Sequence, residues 1–151
     1  MDKKIEGGCL CGKSRFQVNN DPDATIVCHC RYCQLRTGSA FGNIAYFKKM
    51  YFKLLSGDLK TFEFITESGR NWINYFCKNC ATTVYCCLEI RKDHIGIPVG
   101  LIDPPTFNYK ISKEVFTRSK ANFVKQIECE QTFETNTSYT PIKEDEDRLK
   151  G

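Results

Sequence analysis

Residues 27–34 read V-C-H-C-R-Y-C-Q, three cysteines and one histidine within eight positions. Such a cluster suits a complete metal site, part of one, or a disulfide knot, and the choice among these decides the fold. Four more of the ten cysteines are also clustered: Cys9 and Cys11 in G-G-C-L-C-G, and Cys77 and Cys80 in F-C-K-N-C-A, with Cys28, Cys30 and Cys33 in the opening stretch. In an extended segment residues two apart face one side, so Cys9 with Cys11, and Cys28 with Cys30, each aim two sulfurs at one point. A C-x-x-C turn does the same through a tight knuckle. Buried core thiols are the plainer reading of a cysteine, but they do not account for this pairing.

The arithmetic of ligands then divides the seven. They exceed the four that one tetrahedral zinc accepts and fall short of the eight that two closed sites need. Four plus three is the natural partition. The closed site should join two distant pairs, because a metal that clips separated segments constrains the fold, whereas three ligands within six residues pin little long-range structure. Cys9, Cys11, Cys77 and Cys80 therefore read as a structural zinc site. Cys28, Cys30 and Cys33 read as a second zinc site with an open fourth position. His29 is an alternative fourth ligand, but it lies between two residues that face one way, so its ring is expected on the opposite side. For Cys86, Cys87 and Cys129 core packing is expected instead of ligation or redox work.

The remaining composition supports thiolates over disulfides. The chain has 151 residues, 41% of them hydrophobic and 13% aromatic, which suffices for one core. No apolar run approaches the ~18 residues of a membrane span, and M-D-K-K-I-E-G-G lacks the apolar stretch of an export signal. The expectation is a soluble cytoplasmic protein, in which cysteines serve metals or catalysis. Its formal charge of +4 treats cysteine as neutral. Four thiolates around a divalent ion contribute minus two and three contribute minus one, which lowers the total to about +1. No nucleic-acid partner and no membrane partner is expected, and Lys48, Lys49 and Lys53 read as a solvated face.

The chain is read as mainly β. Short alternating or apolar runs at 14–18, 24–28, 41–47, 60–65, 71–77 and 82–90 predict strands, separated by turn chemistry such as N-N-D-P-D, S-G-D and E-S-G. R-Y-C-Q-L-R-T-G predicts a short helix ending at Gly38, and a second is expected within S-K-A-N-F-V-K-Q-I (119–127). Residues 1–133 are expected to form one zinc-binding domain. Residues 134–151 lose the apolar period and read as a mobile tail.

The order G-x-C-x-C-G, then C-H-C-x-x-C-Q with T-G-S-A-F after it, then F-C-x-x-C, resembles the glutathione-dependent formaldehyde-activating enzyme family, also called the centromere protein V-like domain. L-I-D-P-P (101–105) is similar to a further segment of that family. The resemblance implies a β-tent, or Mss4-like, fold of small antiparallel sheets around a structural zinc, with two zinc ions per chain divided as above. It also implies a carbon-sulfur lyase acting on a thiol adduct, with glutathione as the thiol and formaldehyde as the small aldehyde. Two departures stand out: Ala81 follows the C-x-x-C where the family has glycine, and Asn122-Phe123 replaces a proline-tryptophan pair.

A three-thiolate zinc is a weak Lewis acid that favours a soft fourth ligand, so a thiol substrate suits the open position. His29, Tyr32, Arg36 and Ser39 lie close enough in sequence to move a proton or bind a carboxylate. Two other readings stay open: a zinc-stabilised binding module without catalysis, and a thiol redox protein using Cys28, Cys30 and Cys33.

Overall fold

Alternation of buried and exposed residues along short strands organises the chain into two sheets. The computed structural model describes residues 3–105, 107–142, 144 and 146–151. Its elements are β1 (Ile5–Gly8), β2 (Arg15–Val18), β3 (Ala24–Cys28), helix α1 (Arg31–Thr37), β4 (Gly42–Lys48), β5 (Phe52–Ser56), β6 (Leu59–Ile65), β7 (Asn71–Cys77), β8 (Thr83–Leu88), β9 (His94–Pro98), β10 (Ile111–Val115) and β11 (Cys129–Thr132). The fold is mainly β, as the sequence pattern predicts. One sheet has the order β1-β2-β5, and the other β11-β10-β3-β4-β9-β8-β7-β6. Most pairings are antiparallel, but β10 runs parallel to both β3 and β11. Parallel pairing needs a long crossover, which the chain between β3 and β10 supplies.

Strand β4 is central because both of its faces are covered. Ala45 and Phe47 pack with Phe16 and Val18 of β2, Val84 of β8 and Ile97 of β9, all fully buried. This core joins the small sheet to the large one, and each buried phenylalanine contributes about 1.5–3 kcal/mol. Ile44 and Tyr46, on the other face, pack with Trp72 and Cys86. That second face looks toward α1 and the Cys28-Cys30-Cys33 stretch.

Three sequence expectations need adjustment. The predicted strands lie where expected to within a residue or two, but β1, β5, β9, β10 and β11 carry weak alternation and are visible only through their pairing. The second helix, expected within 119–127, does not form: a single 3-10 turn covers Thr117–Ser119, and a turn closes from Val124 N–H to the Ala121 carbonyl. Phe123 is 71% exposed, so that segment has no apolar face to bury. Of the three isolated cysteines, Cys86 is buried with Ile44, Tyr46 and Trp72, and Cys87 packs partly against the main core on the other face, but Cys129 lies on edge strand β11 with its thiol toward Gln131 and Thr132.

Candidate metal centres

The four distant cysteines meet at one end of the core. Cys9 and Cys11 lie in the β1-β2 loop, while Cys77 ends β7 and Cys80 lies in the turn to β8. The four Sγ atoms lie within 4.8 Å of one another, with Cys9–Cys11 at 3.5 Å and Cys11–Cys77 at 3.8 Å. A Zn–S bond of about 2.3 Å implies a tetrahedral edge of about 3.8 Å, so these spacings fit a zinc-sized ion. Backbone N–H groups prepare the loops for anionic sulfur: Ser14 N–H donates to Cys9 Sγ at 3.2 Å, and Ala81 N–H closes the knuckle onto the Cys77 carbonyl at 2.8 Å. The Thr82 hydroxyl lies 3.3 Å from Cys80 Sγ and lowers that thiol to about 5. Ala81 adopts φ +61° to complete the turn, a conformation that favours glycine.

Cys28, Cys30 and Cys33 form the second cluster, again with all sulfurs within 4.8 Å. Local structure explains the convergence. Cys28 ends β3, Cys30 caps α1 by accepting from Cys33 N–H at 3.4 Å, and Cys33 lies in the first turn of that helix. Gly38 closes α1 with φ +66°, its N–H reaching the Gln34 carbonyl. Hydrogen bonding to Cys28 and Cys30, with help from Arg36, holds the Cys33 thiol well below its ordinary value. The same sharing, with burial, pushes Cys30 well above it. All three sulfurs could ionise together only around a cation beyond what the chain supplies, and the donor set fits a thiophilic divalent ion.

His29 stands apart from that cluster. Its ring is fully buried on the far side of the segment, with Nε2 2.9 Å from Glu114 Oε1 and an edge-on contact to Phe41. Glu114 also accepts from Lys120 Nζ at 2.7 Å. Burial pushes the Glu114 carboxyl up, but Lys120 and His29 outweigh it and leave it below its ordinary value. The histidine therefore ties β3 to β10 behind the sulfurs.

In front of the sulfurs lies a cavity of about 400 Å³. Trp72, Phe64, Tyr46 and Ile44 form its apolar side. Arg36 reaches between the cluster and that wall, with Nη2 3.5 Å from Cys33 Sγ and its guanidinium 4.8 Å from the Trp72 ring centre. A side chain at position 42 would place Cβ 2.5 Å from Arg36 Nη2, so Gly42 leaves the arginine its place. Arg91, Lys92 and Lys113 also line the cavity, and none of the four cations pairs with a carboxylate among the described residues. Of the residues near the motif, Tyr32 and Arg36 line the cavity, whereas Ser39 is exposed outside it and His29 faces away. Trp72, Arg91, Lys113, Glu67 and Tyr139 carry no motif; only folding brings them to the sulfurs.

The sequence matches the model of the glutathione-dependent formaldehyde-activating enzyme family over residues 4–119. The chain belongs to that family. All seven clustered cysteines fall inside the matched residues, and two of the three sequence segments of the family supply each half of the larger cluster. Among solved structures, a crystal structure of a Rhodobacter sphaeroides protein has a similar fold, with 18% identity and a TM-score of 0.53. The likeness covers 66% of this chain and 88% of that one. No helix among the described residues is long and apolar enough to cross a membrane.

Proposed function

We propose that this family member is a zinc-dependent carbon-sulfur lyase acting on the adduct of a small aldehyde, such as formaldehyde, with a low-molecular-weight thiol of the glutathione type. The observation that carries the reading is the position of the three-sulfur cluster at the wall of a cavity lined by cations that pair with no carboxylate among the described residues. Cys9, Cys11, Cys77 and Cys80 would hold a structural zinc, and Cys28, Cys30 and Cys33 a second one. The second ion, when bound, supplies a soft Lewis acid that keeps a substrate sulfur anionic at neutral pH.

The chain's own groups do the rest. In an S-hydroxymethyl adduct, the carbon-sulfur bond breaks with its electron pair on sulfur, the hydroxyl proton departs, and the carbon becomes a carbonyl. Arg36, fixed by Cys33 and Trp72, offers positive charge beside the sulfur as that sulfur gains negative charge. Arg91, Lys92 and Lys113 suit the carboxylates of a peptide-like thiol, while Trp72, Phe64 and Ile44 exclude water. Exchange NMR on a mixture of labelled formaldehyde and glutathione reads both directions at once. Faster interconversion of free aldehyde and adduct with catalytic protein, abolished by Cys28→Ser, is the expected result. Unchanged exchange with fully zinc-loaded protein would discard the lyase reading in favour of a binding module.

A further inference from the structure

The family match ends at residue 119, yet the cavity in front of the three sulfurs is completed by residues beyond it. Asn136, Ser138 and Tyr139 form part of its wall. Tyr139 packs with the cluster made by Cys30, Cys33, Val115 and Phe116, its ring 6.4 Å from that of Phe116. Its hydroxyl donates to Glu67 Oε1 at 2.6 Å, and Ile142 N–H donates to the Glu67 carbonyl at 2.7 Å. Glu67 is buried in the loop between β6 and β7, strands that lie five and four places from β3 in the large sheet, and it lines the same cavity as Cys28.

The segment is held on both sides of these contacts. Upstream, β11 pairs with β10, and Phe133 N–H reaches the Glu114 carbonyl at 2.9 Å. Downstream, Glu144 accepts from the Tyr32 hydroxyl at 2.5 Å, Arg148 carbonyl accepts from Arg31 Nε, and Gly151 carbonyl from Arg118 Nε. A segment that spans a cavity, touches both of its sides and is fastened at each end acts as a wall, because moving it requires several of these bonds to break together.

We propose that residues 129–142 form the specificity wall of the sulfur site, with Tyr139, latched to Glu67, as the residue that limits how large a molecule reaches Cys28, Cys30 and Cys33. The site then takes free small-molecule thiols and their adducts and rejects bulky ones. The inference rests on the lyase reading for what those molecules undergo, but the wall itself is independent of the chemistry.

Alkylation of the cysteines in the metal-loaded protein tests it, with N-ethylmaleimide as the small probe and a pyrene-bearing maleimide as the large one, and with labelled positions mapped by mass spectrometry. Tyr139→Ala should raise labelling of Cys28 by the large probe about tenfold, the effect of roughly 1.4 kcal/mol on a barrier, and leave the small probe within about twofold. Tyr139→Phe keeps the ring and should fall between wild type and Tyr139→Ala. Exposed Cys11 and half-buried Cys87, both outside the wall, report general loosening, and their rates should not change. Ser138→Trp, which narrows the cavity, should slow both probes at Cys28. A rise shared by both probes and by Cys11 and Cys87 overturns the wall, as does a large-probe rate indifferent to Tyr139→Ala or to Ser138→Trp. Size selectivity without any lyase activity supports the wall and removes the lyase; lyase activity with no selectivity does the reverse.

Discussion

The two sulfur clusters use one ligand chemistry in two surroundings. Cys9, Cys11, Cys77 and Cys80 join loops 66 residues apart, from the small sheet and the large one, and pack against the main core. Cys28, Cys30 and Cys33 come from one strand end and the helix after it, and they border a cavity lined by aromatic rings and by the cations Arg36, Arg91, Lys92 and Lys113. An ion in the first place removes conformational freedom from a long loop of chain, so its binding energy becomes folding energy. In the second place an ion would close almost no loop, which fits the proposed working role better than a structural one. On the proposed reading, sequence separation, more than ligand identity, distinguishes a fastening from a working site.

The largest effect expected from this contrast is at the first cluster. Cys77→Ser should abolish the cooperative thermal transition or lower stability by roughly 5 kcal/mol or more, since structural zinc contributes on the order of 10 kcal/mol in small domains. Cys30→Ser should behave differently. Serine is a preferred helix N-cap, so α1 keeps its start and the loss should be about 1 kcal/mol, with bound zinc falling from two ions to one. Circular dichroism melts and metal analysis of the two variants check this directly. If both unfold alike, the distinction between the clusters is broken.

A smaller effect is expected behind the second cluster, where Glu114 binds His29 and Lys120. Glu114→Gln should cost about 2–4 kcal/mol at pH 7, because it leaves a buried lysine contact and a buried imidazole without their carboxylate. The folded carboxyl lies below its ordinary value near 4.5, so the unfolded chain binds the proton more tightly. The stabilisation is therefore present above about pH 4.5 and lost as pH falls through the folded value. Denaturant titrations of wild type and Glu114→Gln should converge on acidification; a gap that stays constant below pH 4.5 would show that the carboxylate's charge is not what holds β3 to β10.

Much of this contrast was legible before folding was considered. Ligand counting divides the cysteines as the structure groups them, and the same-face rule places His29 away from the sulfurs, where it is found. α1 was readable through Gly38. What could not be read was everything that depends on distant strands. Trp72 lies on a strand whose alternation gives its face but not its neighbour, Arg36, and nothing in residues 134–151 signals that Tyr139 meets Glu67. Those residues lack an apolar period because a single side chain, Tyr139, is half-buried against the Cys30-Phe116 cluster, beside Phe133 just upstream. Periodicity detects faces; it does not detect isolated anchors.

The smallest effect sharpens the comparison at two turns of the same handedness. Gly38 closes the helix of the working cluster at φ +66°, and Ala81 closes the knuckle of the fastening cluster at φ +61°. A left-handed conformation costs a non-glycine residue roughly 1–2 kcal/mol, while glycine gives up about 0.4–1 kcal/mol through the freedom it adds to the unfolded chain. Ala81→Gly should accordingly stabilise the protein by about 0.5–1 kcal/mol, a rise in Tm of roughly 1–4 °C for a chain of this size. Gly38→Ala should lower stability by a similar amount through the same balance run in reverse. The strain at Ala81 leaves the knuckle intact, with the Ala81 N–H still bonded to the Cys77 carbonyl at 2.8 Å. A fall in Tm for Ala81→Gly would mean that the alanine methyl makes contacts worth more than the strain it carries. The rise expected here, together with unchanged zinc content, would locate that strain in the backbone of the turn and not in the ligand geometry.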